Sequence, residues 1–224
     1  MKKILAVALF FFPLFLTAQI SLRIGYEPAF AYATENSHTA YFNKNKAGVT
    51  SKFPELHLLQ AMQVGFHFEG EEFDFDVFWN GRFAKQEAAW QDATTKKDSS
   101  RRINFRFNGI GAAGVYKFGA VGFGAGVDFG QLYFRGKLPD EKKGQRLVNS
   151  QNGGLYFFMD WHPGASANNS VSLRPFYYLP FHRIDISSVN AWLNGAAAGS
   201  QKLETSIQCF GLTMIFYNKL TERN

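Results

Sequence analysis

The sequence has very little cysteine and no long apolar stretch beyond its first residues. Cys209 is the only cysteine among 224 residues, so an intramolecular disulfide cannot form. After residue 18, no run approaches the ~18 consecutive apolar residues of a membrane helix. These two absences exclude a disulfide-stapled domain and a bundle of membrane-spanning helices.

The first residues predict export from the cytoplasm. Lys2 and Lys3 precede an apolar block from Ile4 to Leu16, and the small residue Ala18 ends the segment. This order is typical of a secretory signal peptide, so we expect residues 1–18 to be removed. The rest of the sequence, 19–224, is then one domain. Because no cysteine follows the apolar block, a lipid-modified N-terminus is excluded.

Aromatic residues and glycine are abundant, with 25 Phe, 9 Tyr, 4 Trp and 21 Gly. Ala120 to Phe134 shows their arrangement, because Val121, Phe123 and the following apolar residues alternate with glycines and Asp128. This period of two predicts a β-strand. One face is oily and the other is small or polar, which favours a strand of a transmembrane β-barrel whose oily face meets lipid.

Similar alternation along the chain predicts eight strands. Their approximate ranges are 20–30, a stretch after 54 that ends with 62–68, 73–82, 102–116, 120–134, 155–162, 171–182 and 204–217. Four long connections, 31–54, 84–101, 135–152 and 183–203, alternate with three short ones. This is the pattern of an all-β, up-and-down antiparallel transmembrane barrel. Asn80-Gly81 is a hairpin signal that would raise the strand count to ten.

The predicted inward faces carry charges of both signs. They are Arg23, Glu27, Glu69, Asp74, Asp76, Arg82, Arg102, Arg106, Asp128, Asp160 and Arg174. We expect them to form ion pairs that fill the lumen, because an eight-stranded barrel is only wide enough for its own side chains. A narrow ion path along these side chains is the alternative. A metal site or catalytic pair at Asp74 and Asp76, with His67 opposite, is disfavoured against ion pairing.

A soluble lipocalin-like barrel is the main alternative fold. In that fold the apolar faces of the strands point inward around a ligand. The large inward group of charges counts against it.

The predicted mature chain resembles the small eight-stranded outer-membrane β-barrel family of Gram-negative bacteria, the class of OmpX and the membrane domain of OmpA. The resemblance lies in the Ala18-Gln19 signal end, in the alternating strands and in the segment Phe210 to Tyr217, which is similar to the family's C-terminal assembly signal. It implies an outer-membrane location, with termini and short turns in the periplasm and long loops outside the cell. Many family members stop at the terminal aromatic, whereas this chain continues to Asn224.

The long connections carry most of the net positive charge. Two clusters stand out, formed by Lys96, Lys97, Arg101 and Arg102 and by Lys142, Lys143 and Arg146. An up-and-down barrel brings these connections to one rim, so their fields can add. We expect them to bind anionic surface material, namely lipopolysaccharide or acidic polysaccharide, rather than nucleic acid, because an outer-membrane surface protein meets lipopolysaccharide phosphates first.

The sequence therefore predicts an integral outer-membrane barrel with a structural or surface-interaction role. A porin-like channel for small solutes or ions and a lipid-modifying enzyme are the alternatives. For the enzyme, only His182, Asp185, Ser187 and Ser188 offer a base near a nucleophile, and such residues are also typical of an ordinary polar loop. We expect no catalytic site, no metal and no cofactor. No motif specifies an oligomeric state.

Overall fold

Most of the chain is β-strand. The computed structural model describes residues 19–33, 37–54, 56, 58–91, 95, 97–165, 169–194 and 202–219, and the predicted signal peptide lies outside them. The eight long strands are β1 (Gln19–Ala33), β3 (Leu58–Glu69), β4 (Phe73–Gln91), β5 (Asp98–Phe118), β6 (Val121–Lys137), β7 (Gln145–Ala165), β8 (Asn169–Pro180) and β11 (Ile207–Lys219). The shorter elements are α1 (Ser37–Asn45), β2 (Val49–Ser51), β9 (Ile184–Asp185), α2 (Ser187–Asn194) and β10 (Glu204–Thr205). Within the described ranges, neither helix is long and apolar enough to cross a membrane.

The eight long strands close into an antiparallel barrel. Each pairs with its neighbours in sequence order, and β11 pairs with β1. A row of paired residues that leaves β1 at Ser21 runs once around the wall and returns to β1 at Ala31, so the shear of the barrel is ten residues. A shear of this size tilts the strands by about 35–45°. The predicted eight-stranded up-and-down barrel is thereby confirmed.

The alternative count of ten strands is wrong. Asn80 and Gly81 lie in the middle of β4, where they pair with Gln63 and Met62 on one side and with Gly109 and Asn108 on the other. A hairpin signal is local, and here the pairing with two long neighbours overrides it.

Two connections that were predicted as long loops are mostly strand. β4 and β5 stay paired as far as Gln91 opposite Asp98, and β6 and β7 stay paired as far as Gly136 opposite Gln145. A strand needs about 9–11 residues to cross a bilayer, and β5 has 21. The barrel wall therefore continues well beyond one membrane thickness.

One part of the wall carries a belt of exposed apolar side chains. Ile110, Phe123 and Phe129 point outward and are 67%, 59% and 61% exposed. The apolar belt also includes Ile24, Tyr26, Phe30, Leu58, Met62, Val64, Phe66, Phe73, Val77, Trp79, Phe83, Leu155, Phe157, Met159, Trp161, Tyr177, Phe210, Leu212 and Phe216. A closed barrel with such a surface is solvated by lipid, so the protein is a transmembrane β-barrel of the outer-membrane type. The predicted outward face of β6 is confirmed.

Beyond the belt, the polarity of both faces reverses. On the outer face of β5, the apolar Ile110 is succeeded toward the head by the polar residues Asn108 and Arg106. On the inner face of the same stretch, Phe107 and Phe105 are buried. We call this part of the protein the head. It comprises α1, β2, β9, α2, β10 and the ends of β4 to β7 beyond the belt.

The head has a hydrophobic core of its own. Its buried members include Phe42, Phe53, Leu56, Ala88, Trp90, Ile103, Phe105, Phe107, Leu132, Phe134, Val148, Ile184, Ile186, Val189, Leu193 and Ile207. Helix α2 packs against β6 through Trp192. The Trp192 ring lies only 2.7 Å from the position that a Cβ on Gly136 would take, so a larger residue there would collide with the ring. The helices α1 and α2 thus cover the end of the barrel that is filled by aromatic and aliphatic side chains.

Candidate functional site

The lumen within the belt is organised around two arginines. Arg174, on β8, donates to Asp160 over 2.7 Å and to the Tyr217 hydroxyl over 2.8 Å through Nη2. Its Nη1 donates to Asp76. All four side chains are buried, with relative exposures of 3% or less. Opposite charges taken out of water must pair in this way, since an unpaired buried ion is very costly.

The Arg174 cluster extends to the end of the lumen away from the head. His67 Nδ1 lies 2.8 Å from Asp76 Oδ1, and its Nε2 lies 3.9 Å from Asp74 Oδ2. Lys117 Nζ lies 2.9 Å from Asp74 Oδ1. In the described part of the chain, no group of His, Cys, Asp and Glu has the arrangement of a metal site. The geometry at Asp74 and Asp76 is that of an ion-pair network.

The second cluster surrounds Arg82. Its Nε lies 3.2 Å from Glu27 Oε1, its Nη2 lies 3.2 Å from Asp128 Oδ2, and its guanidinium lies 4.1 Å from the ring centre of Tyr178. Asp128 also accepts hydrogen bonds from the hydroxyls of Tyr178 (3.0 Å) and Tyr156 (2.9 Å). A planar guanidinium suits such a site because it can pair with carboxylates while it stacks on an aromatic ring.

Gln63 joins the two clusters into one network. It accepts a hydrogen bond from Arg23, which faces Asp76, and it donates to Glu27, the partner of Arg82. Two cavities lie inside the wall, one in the network and one beneath the core of the head, and each has a volume of about 20 Å³. Each has room for about one water molecule. A third cavity, of about 340 Å³, lies at the lumen mouth away from the head and is lined by His67, Asp74 and Lys117. Between this mouth and the head, the Arg174 and Arg82 clusters fill the described lumen.

Eight of the eleven charged residues predicted to face the lumen are buried there together: Arg23, Glu27, Asp74, Asp76, Arg82, Asp128, Asp160 and Arg174. The assignment of Arg102 and Arg106 to the lumen is wrong, because both lie on the outer face of β5 in the head. The prediction assumed that the apolar face of a strand always meets lipid. Beyond the belt the outer face meets water instead, so Phe105 and Phe107 turn inward and the arginines turn outward.

Only some of the cations predicted for the basic loops are exposed to solvent. Lys97, Lys142, Lys143 and Arg146 are exposed at the tips of the β4–β5 and β6–β7 hairpins. These tips are neighbours, since β5 and β6 pair as far as Arg102 opposite Lys137. Lys96 lies outside the described residues.

Arg101 has a structural position in the head. Its Nη1 donates to the carbonyl oxygens of Trp192 (2.9 Å) and Leu193 (2.5 Å), at the C-terminal end of α2. Its guanidinium lies 5.2 Å from the Trp192 ring centre. Burial lowers the pKa of Arg101, and the helix carbonyls favour its cationic form. Arg101 therefore fastens α2 to the wall and is not a free surface charge.

Arg102 is held by a neighbouring carboxylate. Its Nη2 lies 3.2 Å from Glu87 Oε1, and Lys85 Nζ lies 2.6 Å from Glu87 Oε2. The hydrogen bond from Lys85 and the pairing with Arg102 lower the pKa of Glu87. Arg102 is thus partly neutralised.

The residues considered for an enzyme have local roles in the head. Asp185 Oδ1 accepts a hydrogen bond from the backbone N–H of Ser187 over 2.9 Å, which starts α2. Ser187 Oγ accepts from the N–H of Leu203 over 2.9 Å, and the carbonyl of His182 accepts from Asn152. Within the described ranges, His182 makes no hydrogen bond to Ser187 or Ser188. The arrangement is that of a capped helix.

Sequence reasoning missed most of a basic surface on the outside of the head, since it singled out only Arg102 and Arg146 among its members as surface cations. Its residues, which we call the basic wall, are Lys85, Arg102, Arg106, Arg135, Lys137 and Arg146, all on β4 to β7. The carboxylates on the same face are Glu87 and Asp98. A signal was present in the sequence, because polar residues take over the outward positions of β4 directly after Phe83 and those of β6 directly after Phe129.

No family profile and no curated protein sequence matches the chain. The solved structures with a similar backbone include the following three. Ail, the attachment invasion locus protein of Yersinia pestis, in complex with the heparin analogue sucrose octasulfate, is 12% identical, with a TM-score of 0.41 over 89% of this chain and 98% of Ail. Neisserial surface protein A is 12% identical, with a TM-score of 0.42 over 89% and 97% of the two chains. The outer-membrane protease OmpT of Escherichia coli is 8% identical, with a TM-score of 0.37 over 91% and 96%.

Proposed function

We propose that this protein is a non-enzymatic, surface-interaction protein of the outer membrane. The barrel lies in the lipid and holds the folded head above the membrane. The head presents exposed cations to anionic surface polysaccharide. Two observations together support this proposal. The lumen is occupied by its own ion pairs, and the exposed cations lie at the hairpin tips, at Lys97, Lys142, Lys143 and Arg146.

The orientation in the membrane follows the usual rule for such barrels. Short turns face the periplasm and long connections face outward. Here the turns at 70–72 and 119–120 are short, whereas the strands of the opposite end continue into the head. We place the head outside the cell.

A closed lumen separates this proposal from a porin-like channel. The purified barrel should show no steady conductance in planar bilayers, because the Arg82 and Arg174 clusters occupy its cross-section. Reproducible ohmic openings with ion selectivity would favour the channel.

The binding role is tested with a lipid-free polyanion, polygalacturonate. Exposed charges are screened beyond about 8–10 Å at physiological salt. Binding should therefore weaken steeply between low and physiological ionic strength, measured by titration calorimetry of the detergent-solubilised barrel. Replacing Lys97, Lys142, Lys143 and Arg146 with Gln should remove most of it.

Two controls complete the experiment. The heat-modifiable gel band of the Gln variant should match that of the parent, because all four side chains are exposed. Arg183→Gln removes a cation outside both hairpin tips and should leave binding unchanged. Full binding by the four-residue variant at low salt would overturn the proposal.

A further inference from the structure

A groove runs across the outer wall where the apolar belt meets the head. It lies over β3, β4 and β5 and has a volume of about 350 Å³. Its lower part is lined by Met62, Trp79 and Phe83, and its upper part by Lys85, Asn104 and Arg106. The groove is therefore apolar on the membrane side and cationic on the head side.

The groove exists because β4 has no side chain at one outward position. Gly81 pairs with Met62 on one side and with Asn108 on the other. The Trp79 ring lies over it, with Cη2 2.5 Å from where a Cβ would be. The floor is thus bare backbone and an indole face, a flat apolar surface that an acyl chain can cover.

The cations continue sideways from the groove. Arg106 pairs in register with Tyr133, and the guanidinium groups of Arg135 and Arg146 each lie 5.4 Å from the Tyr133 ring centre. Neighbouring strands are about 4.8 Å apart, so the three arginines on β5, β6 and β7 span about 10 Å. This width exceeds a single phosphate and suits a headgroup that carries two.

We propose that this groove binds a phosphorylated glycolipid of the outer leaflet, of the diphosphoryl lipid A type. One acyl chain lies on Trp79 and Met62, one phosphate is held by Arg106, and the second faces Arg135 and Arg146. Arginine suits this task because its donors match phosphate oxygens in pairs. The inference rests on the orientation proposed above, and its site shares only Arg146 with the hairpin tips.

The test uses native mass spectrometry of the intact barrel released from phosphatidylcholine nanodiscs that contain a small fraction of diphosphoryl lipid A. The parent should retain one lipid A, and monophosphoryl lipid A should be retained several-fold less. Arg106→Gln with Lys85→Gln should lower the retained fraction at least five-fold. Gly81→Leu, which fills the groove without a change of charge, should do the same. The gel band identifies folded samples.

The matched control is Lys142→Gln with Lys143→Gln, which removes the same charge from a hairpin tip and should leave lipid A retention unchanged. Parent-like retention by the groove variants would overturn the inference. So would equal retention of phosphatidylglycerol, or an equal loss in the Lys142 and Lys143 variant. The groove variant with Arg106→Gln and Lys85→Gln keeps all four hairpin-tip cations and should bind polygalacturonate like the parent, so the two proposals can fail separately.

Discussion

The belt region and the head are built from the same strands, but the polarity of their inner and outer faces is reversed. On β6, Phe123 and Phe129 point outward within the belt, and Asp128 points inward. Farther along, Gln131 points outward and Leu132 points inward. The strand geometry does not change at this boundary. The solvent outside the wall changes, from lipid to water, and the sequence follows it.

The interiors differ for the same reason. In the head, water outside leaves the inside free to form an ordinary apolar core around Phe105 and Phe107. In the belt, the outward face must be apolar because it meets lipid, so the charged side chains of the same strands lie inward. Many of the inward positions there are charged or polar, and the narrow lumen requires these side chains to pair with one another.

The largest predicted effect comes from breaking that pairing. Arg174→Met removes the cation that bridges Asp76 and Asp160, which leaves Asp76 to Arg23 and His67 and leaves Asp160, among the described residues, with His162 as its only ion-pair partner. Removing one partner of a buried pair costs about 3–5 kcal/mol. We expect this loss in urea unfolding of the lipid-refolded barrel. Arg106→Met removes the same residue type from the outer wall of the head and should cost less than about 0.5 kcal/mol.

A rescue variant sharpens this prediction. Adding Asp160→Asn to Arg174→Met removes the carboxylate that lost its cation, while Asp76 keeps Arg23 and His67, so part of the lost stability should return. If Arg174→Met unfolded at the same urea concentration as the parent, the network would not be the buried structure described here.

A smaller effect is expected from placing a cation on the two kinds of outer face. Phe123→Arg puts a charge within the belt, which costs about 2–4 kcal/mol near the bilayer midplane. Gln131→Arg, on the same face of the same strand, lies beyond the belt and should be nearly neutral. Equal urea midpoints for the two variants would mean that the belt does not end between Phe129 and Gln131.

Alternation was enough to predict the belt. Period two identified all eight strands, and the inward parity gave Arg23, Glu27, Asp76 and Arg174 their place in the lumen. Parity cannot say which solvent a face meets. Arg102 and Arg106 were therefore placed on the wrong side, and the long hairpin ends were taken for loops. The sequence pattern also could not predict which side chains contact each other. Arg101, for example, bonds to the end of α2, whose residues are 91 and 92 positions away in the sequence.

The smallest predicted effect concerns the start of α2 in the head. Hydrogen bonds from the Ser187 side chain and backbone lower the pKa of Asp185. The folded head then holds the Asp185 proton less tightly than the unfolded chain does. The resulting stabilisation is present above the ordinary Asp pKa of about 3.9 and is lost as the pH falls through the lower folded value. Because Asp185 is exposed, its size should stay below about 1 kcal/mol.

The Ser187 amide resonance, followed by NMR against pH, measures this effect directly. It should titrate below pH ~3.9, since the amide donates to the Asp185 carboxylate over 2.9 Å. Asp185→Asn keeps an acceptor for that hydrogen bond but carries no charge, so the titration should vanish while α2 remains formed. A midpoint at or above the ordinary value would mean that Asp185 is solvated independently of the helix, and that water alone, without this carboxylate, satisfies the first N–H of α2.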